Sequence, residues 1–404
     1  LILININNRK AVIPEDKKAG YLKKKIEELR SSGLFSYVEP NYYKERSLEP
    51  SDSAYHDGDL WGLLNTGQMN GVDDADIDAK EAWDITTGNE DNPIIVAVID
   101  TGVWATHKDL TSQLWNNEDE IAGDNIDNDN DGYIDNIHGI DPYWGDGVPE
   151  DWDGHGTHCA GTIGAAANNE NDGDENPHVG VIWNVRILAC KVGEYWFSTD
   201  AIHDSIEFCV QEGVSVVNAS YGGMAYSQAE FDAMAAAGQE GLIFSCAAGN
   251  YSMNNDQTPF YPCSFDLECI ISVAATDRTD QLASFTHYGE ESVDLGAPGV
   301  DIFSSVAWGD DDYELYDGTS MAAPHVAGVL ALMRSMQPDW SVLQIREKIL
   351  QAVDVMESYE GLIATSGRIN AFKAVDGMGE ESPLPDGIME VAIVPPSVSM
   401  LLAG

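Results

Sequence analysis

Short apolar runs recur along the middle of this chain. Residues 94–99 form an unbroken apolar run, and similar runs occur at 185–192, 214–218, 242–248 and 270–275. A strand buried on both faces reads this way, whereas a half-exposed strand alternates. Helical stretches lie between the runs, at 155–167, 199–212 and 228–240. A further helix starts at Ser320, and another spans about 341–353. Strands alternating with helices predict an α/β domain, a mostly parallel sheet with helices on both faces.

The first 56 residues follow another pattern. Residues 1–6 alternate loosely, as in a strand. Residues 17–31 predict a helix with Tyr21, Leu22, Ile26 and Leu29 as its apolar stripe, ended by Gly33. Residues 35–38 read as a strand, and 46–56 as an exposed linker. From Asp376 the chain is rich in Gly, Pro and acid, with no periodicity. Its last residues, V-P-P-S-V-S-M-L-L-A-G, fit either the start of an anchor or sorting segment or a frayed tail. The expected organisation is therefore 1–46 as a small α+β unit, 47–56 as linker, 57–375 as the main domain and 376–404 as an acidic tail. Residue 1 is Leu, and no signal segment follows, so the chain reads as a fragment or a processed form.

Charge sharpens that division. The chain holds 20 Lys+Arg and 69 Asp+Glu, a formal net of −49. Residues 1–46 carry 10 basic and 6 acidic residues, which leaves 10 basic and 63 acidic in the remainder. A cationic unit of +4 beside a body of −53 predicts docking of one on the other. Such a surface disfavours nucleic acid and anionic membranes. No run of about 18 apolar residues is present to span a bilayer. Six cysteines fit an oxidising compartment. Cys263 and Cys269 flank a short loop between strands and are the candidate disulfide pair. Cys159, Cys190, Cys209 and Cys246 lie in apolar surroundings, where core packing is the default.

Three segments carry chemistry. In I-I-V-A-V-I-D-T-G, Asp100 ends a buried strand. In D-G-H-G-T-H-C-A-G-T, His155 enters a helix between glycines. In Y-D-G-T-S-M-A-A-P-H-V-A-G, Ser320 opens a helix. A serine hydroxyl is a weak nucleophile until a neighbouring imidazole takes its proton. That imidazole needs a carboxylate on its other nitrogen. At a helix start, the Ser320 N–H and the helix dipole favour developing negative charge. Pro324 is expected in the first helical turn, where no N–H bond is lost. Asn250, after the small residues of S-C-A-A-G, is the candidate second donor to an oxyanion. One D-T-G excludes an aspartic protease, which needs two, and H-E-x-x-H is absent, which argues against a zinc site at His155, His158 and Cys159.

These blocks, in the order Asp, His, Ser and with the later Ala-Gly-Asn, resemble the signatures of the subtilisin-like (subtilase) serine proteases over about residues 57–375. The resemblance implies a three-layer fold around a seven-stranded sheet, and peptide-bond hydrolysis through an acyl-enzyme. It implies that residues 217–223 pair with substrate backbone. Ser220, Tyr221 and Gly222 would line one wall of the primary pocket, Ala247, Ala248 and Gly249 the other, with Phe260 near its floor. Residues 1–46 resemble the C-terminal half of a subtilase propeptide, an intramolecular inhibitor. Residues 61–68 resemble the start of a mature enzyme. The function expected is a secreted serine endopeptidase acting on proteins and peptides. A catalytically dead scaffold of the same fold and an esterase are the alternatives.

Between Asp100 and His155 lies an acidic insertion, D-N-I-D-N-D-N-D-G-Y-I-D. Asp127, Asp129 and Asp131 followed by Gly132 match the first half of a calcium loop, with the Tyr133 carbonyl and Asp135 next. His138 stands where such a loop needs its bidentate Glu, so Asp124 is the candidate to complete the Ca2+ shell. A solvated acidic loop is the alternative. A second acidic stretch, 168–176, is a weaker candidate.

Overall fold

The computed structural model describes residues 48–169 and 177–378, Ser31, and the backbone of strands Ile2–Asn5, Tyr37–Pro40 and Glu390–Val394. The chain divides into two compact units, one of Leu1–Arg46 with Gly379–Gly404, the other Ser47–Met378. In the first unit the three strands form an antiparallel sheet with Glu390–Val394 in the middle. The strand expected at 1–6 is present, and that expected at 35–38 lies two residues later. The strand in the tail was not expected there. The helix expected over 17–31 falls outside the described residues, apart from Ser31.

The second unit is built on one sheet of β1 (Ile94–Asp100), β2 (Gly139–Ile140), β3 (Val185–Lys191), β4 (Val216–Ala219), β5 (Ile243–Ala247), β6 (Ile270–Thr276), β7 (Leu295–Pro298), β8 (Val353–Val355) and β9 (Gly367–Ile369). Their order is β8-β9-β7-β6-β5-β4-β1-β3-β2, and all neighbours are parallel except β8 and β9. The sheet thus has nine strands among the described residues, against the seven implied by resemblance. β4, β5 and β6 are buried at every position, as both-faced cover requires.

Helices α1 (His155–Gly164), α2 (Thr199–Gln211), α3 (Gln228–Gln239), α4 (Thr319–Met336) and α5 (Val342–Gln351) accompany the sheet. α4 is rich in Ala, Val and Leu on every side and is buried almost throughout, as an all-round apolar helix must be. α5 begins with a reciprocal capping box between Ser341 and Gln344.

Two expectations need correction. Residues 50–55 are not an exposed linker: Pro50, Asp52, Ala54 and Tyr55 are buried, and Ser53–Asp57 is a short helix in the Ser47–Met378 unit. Tyr55 packs on Trp83, an apolar contact that a polar, proline-containing stretch does not advertise. Nor do Cys263 and Cys269 pair. All six cysteines are free and buried. The Cys263 thiol lies 2.9 Å from the Phe260 carbonyl, and the Cys269 thiol 3.5 Å from the Met234 carbonyl on α3. Close spacing in sequence leaves the two side chains directed at different neighbours.

Candidate active site

β1, β4 and β5 are adjacent and parallel, so their carboxyl ends share one edge of the sheet. Asp100 ends β1, Ser220 follows β4, and Asn250 follows β5 shortly after. Crevices outside the carboxyl ends of parallel strands are where such sheets bind ligands.

Asp100 is fully buried. Its Oδ1 accepts from the Thr101 N–H at 2.8 Å and faces His155 Nδ1 at 2.7 Å. His155 opens α1 after Gly154, whose φ of 92° is the left-handed region that favours glycine. The entry is held by Asp151, also fully buried, which sequence reading missed. Its carboxylate accepts from the N–H groups of Asp153, Gly154 and Thr157 and from the Thr157 hydroxyl. An acid four residues before the histidine, ahead of a glycine, was the available signal. Burial opposes charge on His155, but Asp100, with Asp153 and Asp151 adding to it, outweighs burial and raises its pKa to about 8. The ring is about 25% exposed on the cleft side.

Ser320 is the second residue of α4. Its hydroxyl donates to the Ser220 carbonyl at 3.0 Å, and the Ser220 hydroxyl donates back to the Ser320 carbonyl at 2.8 Å. Pro324 explains why that carbonyl is available. The helix starts at Thr319, so Pro324 lies beyond its first turn, contrary to expectation. Lacking an N–H, it leaves the carbonyl four residues back without its helical partner. Ser220 and the Cys159 thiol, at 3.4 Å, take that place. The same thiol is 4.0 Å from Asp100 Oδ2, so Cys159 underlies both the Asp–His pair and the serine.

Asn250 Oδ1 accepts from both the N–H and the hydroxyl of Thr319, each at 2.9 Å. The Thr319 hydroxyl in turn accepts from the Gly249 N–H. Ser220, Tyr221 and Gly222 line a cleft of about 710 Å³ together with His155. Ala247, Ala248 and Gly249 are not among its lining. Phe260 is buried and packs against Gly222, where any Cβ would lie 2.3 Å from its ring. The cleft also holds residues not singled out before, among them Tyr195, Trp196, Phe197, Glu230, Tyr251 and Tyr261.

The acidic insertion gathers differently from the expected ligand set. Oxygens of Asp127, Asp129 and Glu120 lie within 4.8 Å of one another. Asp127 Oδ1 is buried with no partner. The remaining oxygens of the cluster accept bonds within the loop, Glu120 from the Asn128 and Asp135 N–H groups and Asp129 from the Asp131 N–H and Asn117, and the acids outside the cluster do likewise. Asp124 accepts from the Ile126 N–H, Asp131 from the Tyr133 N–H and Asn136, and Asp135 from the Gly123 and Asn125 N–H groups. Glu120 was missed because it precedes the repeat that drew attention. Of the second acidic stretch, only Asn168 and Asn169 are described. They bond Asp52 and Asp109 respectively.

With this geometry in view, comparison with known proteins decides the family. The subtilase family profile matches residues 91–379. The chain belongs to the subtilase family. This subtilase is 35% identical over 361 residues to the thermophilic serine proteinase of Bacillus sp. (strain AK1), covering 89% of this chain and 77% of that one. It is 33% identical to thermitase of Thermoactinomyces vulgaris, covering 74% and 93%. Among solved structures, a protease from Pseudoalteromonas arctica PAMC 21717 aligns with a TM-score of 0.62 at 25% identity, covering 82% of this chain and 99% of that one. A cold adapted subtilisin-like serine proteinase aligns with a TM-score of 0.54 at 28% identity, covering 69% and 90%. The subtilase described here is accordingly a serine endopeptidase of α/β architecture.

Proposed function

We propose that Asp100, His155 and Ser320 are the catalytic triad and that hydrolysis passes through an acyl-enzyme. The observation that carries this reading is the 2.7 Å contact between fully buried Asp100 and His155, at the same sheet edge as the helix start bearing Ser320. Asp100 fixes the imidazole with its free nitrogen outward. Neutral His155 takes the Ser320 proton as Oγ attacks the peptide carbonyl, and returns it to the leaving amine. Water then repeats the cycle on the ester. The Asn250 side-chain amide and the Ser320 N–H donate to the oxyanion. Ser320→Ala should remove peptide hydrolysis and organophosphonate labelling while the melting temperature holds. Hydrolysis at the original rate in that variant would sink the assignment.

The carboxylate cluster fits a calcium ion. Hard oxygen donors and an unpartnered buried carboxylate oxygen are what such a cation satisfies. Glu120, Asp127 and Asp129 would hold it, and its effect would be on loop stability. We further propose that the protease acts outside the cell on proteins and peptides. Residues 1–46 serve as its inhibitory propeptide, supported by their charge of +4 against −53 for the remainder. Because Asp52 to Tyr55 is packed, self-cleavage is expected before Ser51. N-terminal sequencing after incubation checks this, with Ser320→Ala remaining uncut.

A further inference from the structure

Glu230 is a buried acid with one carboxylate oxygen left unpartnered: it is about 6% exposed, and its Oε1 is buried with no hydrogen-bond partner. It sits in the first turn of α3, three residues after the cap Ser227. In the order Ser-x-x-Glu, a glutamate ordinarily returns a bond to the cap's N–H. Here only half of that exchange is made: the Ser227 hydroxyl accepts from the Glu230 N–H, and the carboxylate is not used. Burial raises its pKa to about 7, against a weaker pull from the Tyr221 hydroxyl. Among the described residues no cation pairs with it. Glu194, in the same cleft, differs in having Lys191 at 3.5 Å.

The surroundings suit a positive charge. Phe197, Tyr221 and Tyr261 line the cleft with Glu230, and Phe197 and Tyr221 meet edge to face. Aromatic faces attract cations, and a desolvated pocket strengthens the pull. Asp153 and Glu194 also line the cleft, and no Lys or Arg does among the described residues. An alkyl stem would pack on the aromatic walls while its charged head reached the carboxylate.

We propose that Glu230 makes this part of the cleft a subsite for a lysine or arginine side chain of the bound peptide. The inference rests on the protease reading above and names what its substrates carry. The test uses octapeptides identical except for lysine or norleucine at one position at a time. At one position, kcat/KM for lysine should exceed that for norleucine by at least about tenfold, the equivalent of one charge-assisted contact. Glu230→Gln, nearly isosteric, should bring that ratio close to one, and Glu230→Lys should turn the preference toward glutamate. Dissociation constants of the same peptides with the Ser320→Ala protein give the ratio without turnover. A ratio within twofold at every position, or one that survives Glu230→Gln in a protein of normal melting temperature, overturns the subsite. Absence of all cleavage would overturn the protease reading instead, and the binding ratio would then decide the subsite.

Discussion

Asn250 and Thr319 are locked in one orientation: Oδ1 of the asparagine accepts two bonds from the threonine, from its N–H and from its hydroxyl. A backbone N–H can only donate, so the amide cannot be flipped without losing that bond. Its Nδ2 is thereby the end left for a substrate. Replacing Asn250 with Ala should lower kcat by about 10²–10³-fold, or roughly 3–4 kcal/mol, with little change in KM. Steady-state kinetics on a peptide amide checks this. A loss confined to KM would assign Asn250 to ground-state binding.

The raised pKa of His155 sets a pH limb. The imidazole must be neutral to accept the serine proton, so kcat/KM should rise with pH and reach half its maximum near pH 8. Asp100→Asn should lower the plateau and move the midpoint down. The sign for stability is opposite. A histidine held above its ordinary 6.5 contributes most below that value, and the contribution fades as pH rises through about 8. A midpoint well below 6.5 in the parent would mean that burial, not Asp100, governs the ring.

How much of this was legible beforehand follows from the range of the forces involved. Parallel strands buried on both faces leave an apolar run, so β1, β4, β5 and β6 could be read within a few residues. Asp100, His155, Ser320 and Asn250 stand in local blocks that a linear reading preserves. Pro324 was misplaced because, even counted from Ser320, it is the fifth helical residue, whose N–H would have bonded the Ser320 carbonyl. Glu230 was hidden because a glutamate after Ser-x-x reads as a cap, and only tertiary burial shows the cap unmade. Tyr195 to Phe197 lie in a loop, where no period marks their direction. Glu120 joins Asp127 and Asp129 through a turn of the chain that spacing alone does not reveal.

The insertion supplies the third prediction. Clustered carboxylates repel one another unless a cation intervenes. A ligand bound only to the native state adds about 2.7 kcal/mol at 100 times its dissociation constant. A calcium chelator should therefore lower the melting temperature. Glu120→Gln with Asp129→Asn should abolish most of that response, while Asp124→Asn, which lies outside that carboxylate cluster, should alter it little. If the double variant keeps the full response, the ion is held elsewhere.

The six unpaired thiols have a bearing on how this protein is lost. In the native state burial holds Cys263 up at about 12 and Cys269 at about 11, and raises Cys159, Cys209 and Cys246 well above their ordinary value. Protonated and enclosed, they are poor nucleophiles. Unfolding removes both protections at once. In air the released thiols cross-link at random, and no native bridge exists to guide the chain back. Heat inactivation then becomes a one-way process that drains the open population. A reductant would leave the melting curve in place yet restore recovery on cooling, so the durability of this enzyme is set by how seldom it opens.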